Sequence, residues 1–223
     1  MSPRPLPSAS WWALALVIGV GSWSLRPYPD TLGEALTTLA DRGPAERANL
    51  ARGIACLKGA TLAPDRPWSL SACLGSRTLG HGYMPAPSRL GEARIATLGG
   101  GLCQLASTLH LAALRAGLEP LSRTGHRQPA ASMPVGLDVA LWDGSQDLIL
   151  ANRGSRPIRV EARLSEYGLR ITLKGWNDGR GHQWSLATRA EVRGLRTTGT
   201  RRTWLPDGTL AGTLRWSGAY DTR

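Results

Sequence analysis

Residues 94–114 read RIATLGGGLCQLASTLHLAAL, three glycines, a cysteine and a glutamine set directly in front of an apolar-periodic run. The periodicity predicts a helix from about Leu102 to Ala116, closed by Gly117. Cys103 then falls in the first turn, where unpaired backbone N–H groups and the positive end of the helix dipole favour a thiolate over a thiol. Gly99, Gly100 and Gly101 admit positive φ and leave room for a second backbone to approach, as binding of a peptide ligand requires. Gln104 is placed to donate from its carboxamide to a developing oxyanion. The competing reading makes Cys103 a small packed residue at a helix start, with the glycines as a simple turn.

Outward from this stretch the chain divides by period. On the amino side, Asp30 is read as the cap of a short helix through Ala40. Ala45 to Lys58 carries Ala48, Leu50, Ala51, Ile54, Ala55 and Leu57 at helical spacing, stopped by Gly59. Residues 60–93, rich in Gly, Pro and Ser, read as short strands and turns. On the carboxyl side the period becomes two. Leu137, Val139 and Leu141 alternate before Asp143-Gly144 and a strand near Leu148 to Leu150. Ile158 to Leu164 and Leu169 to Leu173 form a second hairpin, and Trp204 to Trp216, around Pro206-Asp207-Gly208, a third. The expectation is an α+β fold, helices packed on antiparallel β-hairpins with the glycine loop leading into a central Cys-bearing helix.

At 223 residues and 42% hydrophobic content, one main domain is expected. The net charge of +11 is carried almost wholly by arginine, Lys58 and Lys174 being the only lysines. It favours anionic partners: phospholipid surfaces, acidic wall polymers or nucleic acid. Residues 189–223 carry seven arginines against three acids, but no nucleic-acid motif accompanies them, and nucleic acid is not expected as a partner. The glycine loop lacks the Lys-Ser/Thr ending of a nucleotide-binding loop, and no ligand set for zinc is present, so neither metal nor cofactor is expected. Cys56, Cys73 and Cys103 are an odd number, leaving at least one thiol; Cys56 and Cys73 either pair, if the domain is exported, or pack as small hydrophobes. The amino end carries no charge between Arg4 and Arg26, and its apolar run from Ala9 to Leu25 just reaches the lower spanning limit. It reads as a signal-like or anchoring segment, with a buried first helix as the alternative.

A thiolate enzyme needs a base. His110, seven residues after Cys103, lies about 10 Å along the helix axis, too far for direct contact. His126, in RTGHRQP, can return toward the cysteine after the helix, and Asp138 on the following strand can orient its imidazole. The alternatives are an exposed loop histidine and a polar strand-entry residue.

LGGGLCQLASTLHLAALRAGL, followed by RTGH, PVGLD and DLILANRGSRPIRV, resembles the VanW domain, named from a glycopeptide-resistance gene cluster. Upstream, RANLARGIACLKGATLAPDRPWSLSACLGSRTLGHGY follows the same pattern, with Trp68-Ser69-Leu70 where the family shows Phe-Ser-Phe. His110, Ala106 and Val139 depart from the usual residues. The resemblance implies a setting in the cell envelope, anchored or exported, with a cytoplasmic location as the alternative. It divides the chain into a signal or anchor segment (1–28), a short helix and linker (29–45), the VanW-like domain (46–174) and an arginine-rich hairpin extension (175–223). Two functions stay open: a Cys103-His126-Asp138 thiol enzyme acting on peptide or peptidoglycan stem-peptide bonds, assisted by Gln104, and a noncatalytic module binding an anionic or peptide ligand at Gly99–Gly101. Membrane association is compatible with either, and oligomeric state is left open.

Overall fold

The structure, a computed structural model, describes residues 28–90, 93–130, 133–191 and 194–221. The signal-or-anchor reading of the amino end therefore lies almost wholly outside the described residues. Among those described, no helix is long and apolar enough to cross a membrane.

The α+β expectation is corrected: among the described residues the chain is mostly β, with 45% strand against 19% helix and four antiparallel sheets. Two sources of strand were missed. Strand β1 (Asp30–Thr37) occupies the segment expected to be a short helix. Its inward positions, Gly33, Ala35 and Thr37, recur every second residue, and the strand pairs along its length with β9 (Gly168–Gly175). A Cβ at Gly33 would run into the backbone of Ala112 and Ala116, so the glycine that weakens a strand by propensity is what lets this one lie against a helix. The second source is length at the carboxyl end. The extension is a three-stranded meander of β10 (Gly181–Glu191), β11 (Gly194–Trp204) and β12 (Leu210–Asp221), of which only the β11–β12 hairpin was expected.

The main sheet runs β1-β9-β8-β2, with β8 (Ile158–Ser165) and β2 (Thr61–Leu62), and its β8–β9 hairpin turns between Ser165 and Gly168 as the alternation predicts. Strands β3 (Pro67–Ser69), β7 (Ile149–Ala151) and β6 (Glu119–Ser122) form a small sheet in the order β3-β7-β6. Strands β4 (Pro85–Leu90) and β5 (Ala93–Leu98) make the hairpin that delivers the chain to the glycines.

Helix α1 (Pro44–Leu57) and helix α3 (Leu102–Arg115) fall where their periodicities place them; the five-residue α2 (Leu70–Leu74) lies in the stretch read as strands and turns. α3 is buried at Leu102 and at every residue from Gln104 to Leu114, as expected of a helix apolar nearly all round. Cys56 on α1 and Cys73 on α2 are joined by a disulfide across 5.9 Å between Cα atoms. Closing a loop of this length contributes about 3 kcal/mol. Leu50, Leu57, Leu70, Leu105 and Leu109 form a continuous core with Ile171 and Leu173 of the main sheet.

Candidate functional site

The segment 137–141 alternates as a strand does, yet among the described residues it pairs with no strand. The Asp143-Gly144 turn forms, closed by a Trp142–Gln146 bridge, but β7 goes to β3 and β6 instead. The backbone of 137–141 is taken up by side chains from one stripe of α3. His110 Nδ1 is 2.9 Å from the Leu137 carbonyl, the Val139 N–H donates to Ser107 Oγ at 2.8 Å, and the Leu141 N–H donates to Cys103 Sγ at 3.4 Å. Positions 103, 107 and 110 share a helix face. The Ala140 N–H reaches the Thr124 carbonyl at 2.8 Å, drawing in the loop that carries His126. Buried backbone groups must be paired, and here a helix face pairs them in place of a sheet.

This pairing assembles Cys103, His126 and Asp138. Cys103 is the second residue of α3, behind an N-cap glycine, Gly101, with φ of 97° and no side-chain cap. The Cys103 N–H has no acceptor among the described residues. Asp138 is 1% exposed, and one of its oxygens, Oδ2, accepts from both the His126 backbone N–H at 2.7 Å and His126 Nδ1 at 2.6 Å. Engagement of Nδ1 by Asp138 orients the imidazole, which interacts with the Cys103 thiol through side-chain hydrogen bonding and charge. Arg123 donates through Nε to the Asp138 carbonyl at 2.8 Å, and its guanidinium lies 3.6 Å from Oδ1. Tyr220 donates its hydroxyl to the same Oδ1.

The charges follow from this geometry. Burial pushes the Cys103 thiol up, but hydrogen bonding and charge from His126, with the Leu141 N–H and the Arg77 guanidinium, outweigh it and hold the thiol below its ordinary range. Burial works against a charged imidazole at His126, yet Asp138 and Cys103 push it up to about 9. The two shifts run in the same sense, each group favouring the charged form of the other. Asp138 is held down at about 2: burial opposes this, but His126, through side chain and backbone, and Tyr220 prevail. His110 is buried and driven down to about 4, so it is a weak proton acceptor, and its Nδ1 is engaged with the Leu137 carbonyl.

The low value at Asp138 gives a pH dependence. Between about pH 4 and 2 the unfolded chain takes up a proton here that the folded chain refuses, so stability present above pH 4 is lost as pH falls through 2. The expected contribution is about 2 kcal/mol. Urea unfolding of Asp138→Asn should show a correspondingly shallower loss of stability over that window than the parent chain.

Gln104 does not join the cluster. Its amide donates to Thr37 Oγ1 at 3.0 Å and the Thr38 carbonyl at 2.7 Å, and its oxygen accepts from Arg42 Nε at 2.7 Å. Nor do the glycines leave open space. A Cβ at Gly100 would collide with the Ala86 carbonyl, one at Gly99 would lie 2.9 Å from Arg77 and Leu102 atoms, and one at Gly101 3.2 Å from Glu46 Cβ. The backbone that approaches Gly100 is the protein's own. Sequence reasoning did not find Tyr220 or the clamp from Arg123. Arg123 stands in the quoted RTGH motif, whereas Tyr220 lies 82 residues beyond Asp138 with no local pattern to single it out.

The sequence profile of the family described as "VanW like protein" matches residues 45–174. A relative, the uncharacterized protein YoaR of Bacillus subtilis (strain 168), is 28% identical over 142 residues, 64% of this chain and 47% of that protein. The match thus spans about half the length of that relative. No solved structure matches the chain. Cys103, His126 and Asp138 all lie inside the profile, which covers more than half of the residues, and the chain belongs to the VanW family.

Proposed function

We propose that this protein is a thiol-dependent acyl-transfer enzyme of the cell envelope, acting on peptide bonds of the peptidoglycan stem-peptide class. The observation that carries the reading is the linked set of Cys103, His126 and Asp138, with the sulfur at an uncapped helix N-terminus. In the reaction, the Cys103 thiolate adds to the scissile carbonyl while the developing oxyanion is met by the Cys103 N–H and the helix dipole. The His126 imidazolium gives its proton to the departing amine, leaving a thioester. Water or an acceptor amine then attacks the thioester, His126 takes up the proton of that nucleophile, and the thiolate is regenerated. Asp138 holds the imidazole in one tautomer throughout.

The envelope setting is supported by the Cys56–Cys73 disulfide, which persists in oxidising compartments, and by the net charge of +11, which suits acidic wall polymers. A noncatalytic module binding ligand at Gly99–Gly101 is less well supported, because Ala86, Arg77 and Glu46 fill that space and Gln104 is committed internally. Incubation with purified peptidoglycan fragments should give new stem-peptide products and an acyl adduct on Cys103 by intact-protein mass spectrometry, both lost in Cys103→Ser. Fragments unchanged by the parent chain, or changed equally by Cys103→Ser, would reject the enzyme.

A further inference from the structure

We propose that Tyr220 is a positioning residue of the Cys103 centre, and that the β10–β12 sheet carrying it, which lies outside the family match, forms a working wall of that centre. The inference rests on the thiol reading above and extends it to residues that the reading does not need.

Three sets of contacts support it. The first is at the hydroxyl itself. The Gly136 N–H donates to Tyr220 Oη at 2.7 Å, and Tyr220 in turn donates to Asp138 Oδ1. The hydroxyl thus spans from the backbone two residues before the carboxylate to the carboxylate itself. Oδ2 is taken twice by His126, so Tyr220 and the Arg123 guanidinium between them hold the other oxygen. A carboxylate held at both oxygens cannot rotate about its Cβ–Cγ bond without breaking a contact. Its orientation sets that of the imidazole.

The second set ties the strand to the histidine loop. The Asp221 N–H donates to the Arg127 carbonyl at 2.7 Å, and the Asp221 carboxylate pairs with Arg127 at 2.8 Å. The residue after Tyr220 is therefore bound to the residue after His126. The third set seats the sheet. The Trp216 indole N–H donates to the Gly136 carbonyl at 3.1 Å, Thr197 is fully buried against Gly136, and Arg201 donates to the Leu118 carbonyl at the end of α3. Gly136 has φ of 94°, and its two peptide groups are gripped on both sides by β12. An appendage with no part in the site has no reason to place its one fully inward tyrosine on the carboxylate.

The test is the pH profile of Cys103 alkylation by iodoacetamide in the full chain. Tyr220→Phe keeps the ring and removes only the hydroxyl. The acid midpoint is expected to rise by about half to one pH unit, lowering the rate at pH 6 roughly three- to tenfold, with the high-pH plateau unchanged, because a freed carboxylate holds the imidazolium less well. Trp216→Phe, which removes a bond from the same sheet to Gly136 but none to Asp138, should leave the midpoint in place. A Tyr220→Phe profile that superimposes on the parent or moves to lower pH, or an equal shift in Trp216→Phe, overturns the proposal. The parent chain gives a second readout that needs no folded variant: the Tyr220 Cζ resonance should move with the midpoint of Cys103 labelling, and an invariant resonance also overturns it. An ordinary thiol midpoint in the parent chain would instead mark failure of the thiol reading itself.

Discussion

His126→Ala is expected to slow alkylation of Cys103 at pH 7 by at least about 10-fold and to move the midpoint of its pH profile up to or beyond that of an ordinary cysteine near 8.5. The size follows from what opposes what at the sulfur. Burial is the largest influence on this thiol and works against the anion; His126 is the largest influence that favours it. Removing the imidazole leaves the Leu141 N–H and the Arg77 charge to face the burial alone. A thiol with an ordinary pKa is only a few per cent ionised at pH 7, so a thiol that the imidazole holds below that range loses about a factor of ten when the imidazole is removed. Because Cys56 and Cys73 are joined, Cys103 is the single free thiol, and labelling reports it without interference. A rate and midpoint unmoved by His126→Ala would mean that the imidazole has no hold on the sulfur, and the acyl-transfer reading would fall. Loss of turnover on peptide substrates should be larger, about 10²–10⁴-fold, since the same group also supplies and removes protons.

The fold and the site were legible to different degrees, for identifiable reasons. α1, α3 and the β8–β9 hairpin declare themselves by local period, because each buries one face against partners that need not be known. β1 does not. Its Leu-Gly-Glu-Ala-Leu run suits a helix locally, and only pairing with β9, about 140 residues away, makes it a strand. The segment 137–141 has true strand alternation and the right turn after it, yet its hydrogen bonds go to Ser107, His110 and Cys103, a destination that no alternation encodes. Cys103, His126 and Asp138 were named because chemistry restricts which residue types can cooperate, and the structure brings the three together. Gln104 and the glycines were named by the same logic, and there it misled: a carboxamide beside a nucleophile and an open glycine loop are equally the signs of a tightly packed junction.

Gly100→Ala is the substitution on which that last distinction turns, with an expected destabilisation of about 3 kcal/mol and a fall in Tm of roughly 6–12 °C. If the glycines were there to admit a substrate backbone, a methyl at position 100 would block ligand and leave the fold intact. Instead a Cβ there meets the Ala86 carbonyl and side chain, and the obstacle is backbone in a paired hairpin that cannot swing aside as a long side chain would. Asn49 adds to the rigidity, since its amide donates to the carbonyls of Met84 and Gly100 at 2.9 and 3.0 Å and its oxygen accepts from the Met84 N–H at 2.8 Å. Relief must come from shifting Gly100 and the start of α3 with it, so Gly100→Ala should also slow Cys103 alkylation while His126 is untouched. Gly101→Ala makes the contrast. Its Cβ would sit 3.2 Å from Glu46 Cβ, a tight approach that a shift of a few tenths of an ångström relieves, and the positive φ adds about 1–2 kcal/mol. Thermal unfolding of the two variants should therefore place Gly100→Ala well below Gly101→Ala; the reverse order, or a fully stable Gly100→Ala that fails only in ligand binding, would return the glycine loop to the role of a substrate cradle.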